Sequence, residues 1–137
     1  MEQPEFGLTR IGQIAVNVHD LDRAVAFYRD KLGMKHLFTV PKMAFFDCGG
    51  IRLMLGLPEK SEFDHPASIL YYNVDDIHEA FQVLTARDVP FETKPHVVVR
   101  MEERDLWMAF LHDSEGNLLA LMSEQPSRQA KQGPSNG

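Results

Sequence analysis

Apolar positions along the chain follow two periods in turn. Residues 11–18 (IGQIAVNV) alternate apolar and polar side chains and are rich in β-branched types, which predicts a strand. Residues 19–33 (HDLDRAVAFYRDKLG) switch to the helical period, with Leu21, Ala24, Val25, Tyr28 and Leu32 on one face. Asp20 suits the N-cap, and Gly33 stands where a left-handed residue ends a helix. Three short strands are predicted next, over 36–40, 43–48 and 51–57, with Pro41-Lys42 and Gly49-Gly50 as turns. After a polar loop (PEKSEFDHP) the order recurs. Residues 68–74 read as a strand, and Asp76-Ile77-His78-Glu79 opens a helix that buries Ile77, Ala80, Phe81 and Leu84. Strands are predicted over 91–98, 106–113 and 117–123, with Ser114-Glu115-Gly116 as the last turn.

This recurrence is an internal repeat. A shift of 56 lays Val18-His19-Asp20-Leu21 on Val74-Asp75-Asp76-Ile77, and a shift of 66 lays Phe45 to Gly50 on Leu111 to Gly116. The two offsets imply about ten extra residues in the second half, placed around the loop Arg100 to Asp105. Each half is βαβββ and too small to bury a core alone. The expected architecture is therefore one α+β domain: two βαβββ modules, residues 10–58 and 67–124, forming a shared curved mixed sheet around a cavity. Residues 1–9 form an N-terminal extension and 59–66 a linker. Residues 125–137, polar and rich in Gly, Pro and Ser, read as a mobile tail.

Composition narrows the function classes. A net charge of −6 without any basic run argues against nucleic acid as a partner. No apolar run approaches membrane-spanning length, and residues 1–10 lack the pattern of a signal peptide, so a cytoplasmic protein is expected. Cys48 is the sole cysteine, which excludes an internal disulfide and a cysteine metal cluster.

The segment IGQIAVNVHDLDRAVAFYRDKLGM resembles the opening of vicinal-oxygen-chelate proteins, the superfamily of glyoxalase I, bleomycin-resistance proteins and extradiol dioxygenases. DSEGNLLAL resembles their closing Asp-Pro-Asp-Gly-Asn turn and last strand. Ser114 replaces the family's Pro, and Asp88 stands where a Gly is common; Asp tolerates the left-handed conformation better than most residues. The resemblance implies four metal-ligand positions, typically His or Gln, Glu, His and Glu, which fall here on Gln13, Met54, Ile69 and Ala120. Gln13 is compatible. Ile69 and Ala120 carry no donor, and a thioether such as Met54 suits copper(I) better than hard or borderline ions. A slip of two residues offers Arg52 or Gly56, Tyr71, and Leu118 or Met122, still no ligand set. Neither metal nor other cofactor is therefore expected. His96, His112 or the Glu102-Glu103 pair would be needed to build a relocated site.

Strand alternation from these positions points Ala15, Asn17, Arg52, Tyr71, Asn73, Leu118 and Met122 to the concave face, and Met108, Phe110 and His112 are placed there by the family's closing strand. The expected ligand-binding residues are thus Gln13, Asn17, Arg52, Met54, Ile69, Tyr71, Met108, Phe110, His112, Ala120 and Met122. Apolar walls with scattered polar groups are the composition of a small-molecule pocket. Two function classes follow: a metal-free binding protein that sequesters a small, largely apolar molecule, or an enzyme, either a metal-dependent lyase, isomerase or dioxygenase with a relocated site or a metal-free catalyst using His or Tyr. The resemblance also implies a homodimer, with Trp107 and Phe63 as interface candidates.

Overall fold

The computed structural model describes residues 5–127, so the expected tail lies almost wholly outside the described residues. The first module contains β1 (Gln13–Asn17), α1 (Leu21–Ala26), β2 (Lys35–Val40), β3 (Met43–Cys48) and β4 (Ile51–Gly56). The second contains β5 (Leu70–Asn73), α2 (Ile77–Ala86), β6 (His96–Arg100), β7 (Arg104–His112) and β8 (Leu118–Pro126). A single 3-10 turn, Ser61–Phe63, lies in the linker. No helix among the described residues is long and apolar enough to cross a membrane.

Local sequence accounts for the helix boundaries. The Asp20 carboxylate accepts from Arg23 N, and that of Asp76 accepts from His78 N and Glu79 N, satisfying donors that a helix start leaves open. Beyond α1 the backbone widens into a π turn over Phe27–Lys31, with Leu32 N donating to Phe27 O. The wider turn lets two consecutive aromatics, Phe27 and Tyr28, both face inward. Gly33 ends this segment at a φ of 71°, and Asp88 ends α2 at 64°.

Two four-stranded mixed sheets result, in the orders β1-β4-β3-β2 and β5-β8-β7-β6. The expected shared surface is therefore made of two unclosed sheets, with no ladder between them among the described residues. One face of each sheet packs on the helices. Val16, Phe46, Leu53 and Leu55 from the first sheet share a core with Ala109, Leu111, Leu119 and Leu121 from the second, closed over by Tyr28, Ile77 and Leu84. Each large apolar side chain buried there is worth about 1.5–3 kcal/mol.

The repeat holds with one correction. From β4 to β8 the shift is 66, as Gly56 and Met122 show, but from β3 to β7 it is 65, as their partners Met43 and Met108 show. The closing turn of the second module is one residue longer, so Phe45 corresponds to Phe110 and not to Leu111. The extra residues of the second half extend the β6–β7 hairpin: pairing continues from His96↔Met108 to Arg100↔Asp105. An inserted segment that pairs its own backbone needs no long loop. Phe91, expected to begin a strand, makes only an isolated bridge to Leu111. At the other end, β8 continues through Pro126, held by Arg104↔Pro126, and so takes in the first two residues of the expected tail.

Candidate functional site

The second face of each sheet carries no helix. In the first module it presents Gln13, Ala15 and Asn17 from β1, Arg52 and Met54 from β4, and Met43, Phe45 and Asp47 from β3, as the pairings Gln13↔Arg52, Ala15↔Met54 and Phe45↔Met54 require. In the second it presents Tyr71, Ala120, Met122, Phe110, Met108 and His112 through Tyr71↔Ala120, Phe110↔Ala120 and Met108↔Met122. The face is apolar yet uncovered: Phe38 is 47% exposed and Tyr71 46%. Phe38 stacks on Phe45 with ring centroids 4.6 Å apart, and Tyr71 meets Phe110 edge-on at 6.3 Å.

Ten of the eleven expected residues thus lie on these two faces at the expected parity. Ile69 precedes β5, outside the ladder, and is 40% exposed. Ala120, though on the face, is fully buried under its neighbours and offers only a methyl floor. Phe38, Met43 and Phe45 belong to the face as well. They are absent from the expected set, although the alternation of MAFFDC carried the signal for Met43 and Phe45.

The polar groups divide by task. Asn17 is structural: its amide donates to Phe63 O at 2.5 Å and to His65 O at 3.2 Å, fastening the linker to the end of β1. His112 has both ring nitrogens engaged, one by the Glu92 carboxylate and the other by Gly116 O at 3.4 Å. The Glu92 hydrogen bond raises its pKa, and with both ring nitrogens engaged neither is free to act as a base. Glu92 lies twenty positions away in the chain, and no local pattern pairs the two. Arg52 Nε donates to Gln13 Oε1 at 2.8 Å, and its guanidinium lies 5.3 Å from the Phe45 ring centroid. Gln13 Nε2 reaches Met54 Sδ at 3.9 Å.

The family's divalent ion does not fit this donor set. At the four positions Gln13 supplies one amide, Met54 one thioether, and Ile69 and Ala120 nothing. Among the described residues, no three His, Cys, Asp or Glu side chains converge to hold a metal. Relocation fails on distance. His96 pairs with Met108, four residues along β7 from His112, which is about 13 Å at strand rise. Glu102 and Glu103 sit at the far end of the same hairpin.

Trp107, expected at an interface, lies on the opposite side of β7, where it packs against the core and meets the His78 ring of α2 at 4.9 Å. Phe63 is 51% exposed in the linker. A cleft of about 640 Å³ also opens on the helix side, between the π turn, α2 and the second sheet, with Leu32, Met34, Tyr72 and Leu111 among its walls. None of the eleven expected residues lines it.

Ion pairs near the linker make stability depend on pH. Hydrogen bonding to Asp64, reinforced by its charge and that of Glu115, raises the pKa of His19, and Glu92 does the same for His112. A raised histidine pKa stabilises the fold fully below the unfolded value of about 6.5, and the gain fades as pH rises through the folded value. Glu115 acts in another window. Burial works against its charge, but the Arg23 hydrogen bond and the His19 N–H outweigh that, and its lowered pKa gives stability that is lost only in acid. The expected result is a thermal midpoint that declines from pH 6 to pH 8, with the decline flattened in the variant carrying both His19→Gln and His112→Gln. An equal decline in that variant would assign the dependence to other groups.

The model of the Glyoxalase/Bleomycin resistance protein/Dioxygenase superfamily matches residues 10–121. No curated protein matches the chain by sequence. Among solved structures, a lactoylglutathione lyase from Agrobacterium tumefaciens is 24% identical over 85% of this chain and 94% of its own, with a TM-score of 0.69. A superfamily member from Sphaerobacter thermophilus is 23% identical over 85% and 98%, with a TM-score of 0.70. One from Alicyclobacillus acidocaldarius is 23% identical over 83% and 90%, at 0.67. At these identities the likeness establishes the fold alone.

Proposed function

The chain belongs to the Glyoxalase/Bleomycin resistance protein/Dioxygenase superfamily, and from that premise we propose that it binds a small, largely apolar molecule on the helix-free sheet faces, without the family's divalent ion. The observation that carries this reading is the pair of uncovered apolar faces, with Phe38, Phe45 and Met54 on one and Tyr71, Met108, Phe110 and Met122 on the other. Apolar surface of this extent, left in water, is the mark of a binding site or an interface. A second copy of the chain supplies the cover: in a homodimer, a face of one protomer closes over a face of its partner and encloses the ligand between them. The net negative charge and single cysteine suit a cytoplasmic protein.

Three measurements on protein purified without chelator test this. Sedimentation at tens of micromolar is expected to show a dimer, native mass spectrometry a co-purifying organic molecule, and elemental analysis no stoichiometric divalent ion. One tightly held nickel, zinc, iron or manganese per chain, lost on Gln13→Ala, would replace this reading with that of a metal-dependent lyase, isomerase or dioxygenase.

A further inference from the structure

Of the charged groups on the helix-free faces, Arg52 is arranged unlike the rest. Its cross-strand neighbour on β3 is Asp47, the obvious ion-pair partner, yet no carboxylate lies within 4.0 Å of the guanidinium among the described residues. The Asp47 carboxylate turns instead to the backbone N–H of Gly50, at 3.3 Å. What holds Arg52 is neutral. Gln13 accepts from Nε, and the guanidinium carbon lies over the Phe45 ring. Gln13 is itself steadied by Met54. The two terminal nitrogens, the fork that matches a carboxylate, form no hydrogen bond with a described residue.

A guanidinium oriented by an amide and an aromatic ring keeps its full charge and has lost part of its freedom. Both lower the cost of seating an anion on it. Histidine on the opposite face cannot do the same work, because Glu92 and Gly116 O already occupy both ring nitrogens of His112. On one side Arg52 borders an apolar row, Ala15, Met54, Phe45 and Phe38, while its own row across the sheet carries Gln13, Asp47 and Lys35. Such a site selects an occupant with one planar anionic group on an apolar body.

We propose that the ligand is a small organic monocarboxylic acid with an apolar, ring-sized body, its carboxylate received by Arg52 and its body laid on Phe45 and Phe38. This rests on the reading of the helix-free faces as the binding site. The charge on Arg52 then does the orienting that a bound cation would otherwise do.

The test is calorimetric titration of the full chain with 2-naphthoate and with its neutral isostere 2-naphthamide. The wild type is expected to bind the acid at least about tenfold more tightly than the amide, the worth of one charge-assisted hydrogen bond or more. Arg52→Met removes that preference, Arg52→Lys keeps part of it, and Ala15→Trp, which crowds the face, weakens both compounds. Arg52 and Ala15 are both exposed, so these variants are expected to keep the wild-type melting temperature, which establishes that they are folded. Acid and amide binding alike, with both weakened by Ala15→Trp, would overturn the carboxylate anchor and leave the binding face standing. Binding of neither, or binding indifferent to Ala15→Trp, would overturn both.

Discussion

Replacing Phe46 by Ala is expected to remove about 3–5 kcal/mol of stability, the usual cost of truncating a buried aromatic to a methyl. Phe46 is fully buried at the centre of the common core, with its ring 6.1 Å from that of Tyr28 and 5.2 Å from that of His36. It pairs with Leu53 on β4, which is also buried, so the space left by the ring is walled on both sides by side chains already at close packing. A domain of this kind has about 5–15 kcal/mol in total, and the variant gives up a large share of it. Phe45, the adjacent residue, provides the control. It points to the helix-free face and is partly exposed, so Phe45→Ala is expected to cost about 1–2 kcal/mol from the area bookkeeping. Urea unfolding of the two variants measures the contrast. Equal losses would mean that the two faces of β3 are not divided between core and site.

Asp113→Ala has the next largest expected effect, about 3 kcal/mol, and it acts by a different mechanism. The Asp113 side chain, buried in the closing turn of the second module, accepts from Tyr28 Oη at 2.7 Å, from Glu115 N and Asn117 N at 2.8 Å each, and from Asn117 Nδ2 at 3.0 Å. Tyr28 belongs to the first module and is fully buried, so this carboxylate pins the two halves together. Burial, followed by the charge of Asp113, pushes the Tyr28 pKa far upward, and the phenol remains a donor at every working pH. Removing the carboxylate leaves a buried hydroxyl without a partner, which costs about 1–3 kcal/mol, and frees two turn N–H groups that water satisfies in part. A double-mutant cycle separates this mechanism from simple loss of packing. Tyr28→Phe alone is expected to destabilise by about 1 kcal/mol, but in the Asp113→Ala background it becomes neutral or favourable, because it removes the orphaned hydroxyl. The same penalty for Tyr28→Phe in both backgrounds would rule out the pin.

The sequence by itself determined the modules. Period-2 and period-3.6 patterns located all ten helices and strands, and capping residues such as Asp20 and Asp76 set both helix starts, because these signals are local consequences of backbone geometry. It also placed ten of the eleven expected residues on the helix-free faces, since alternation along a strand is a local property too. What it missed came from counts that alternation cannot supply. One additional residue in the turn before β8 changes the shift of β7 from 66 to 65, and an odd slip exchanges the two faces of a strand, so the repeat alone would have put Leu111 where Phe110 stands. Met43 and Phe45 are legible by parity but lie on a strand that carries none of the family's motif positions. The pairing of His112 with Glu92, the linker's hold on Asn17 and the freedom of Arg52 from Asp47 were decided only by tertiary structure. Each depends on where a long polar side chain ends after its backbone has been placed, and that end point is set by groups twenty to fifty residues away in the chain.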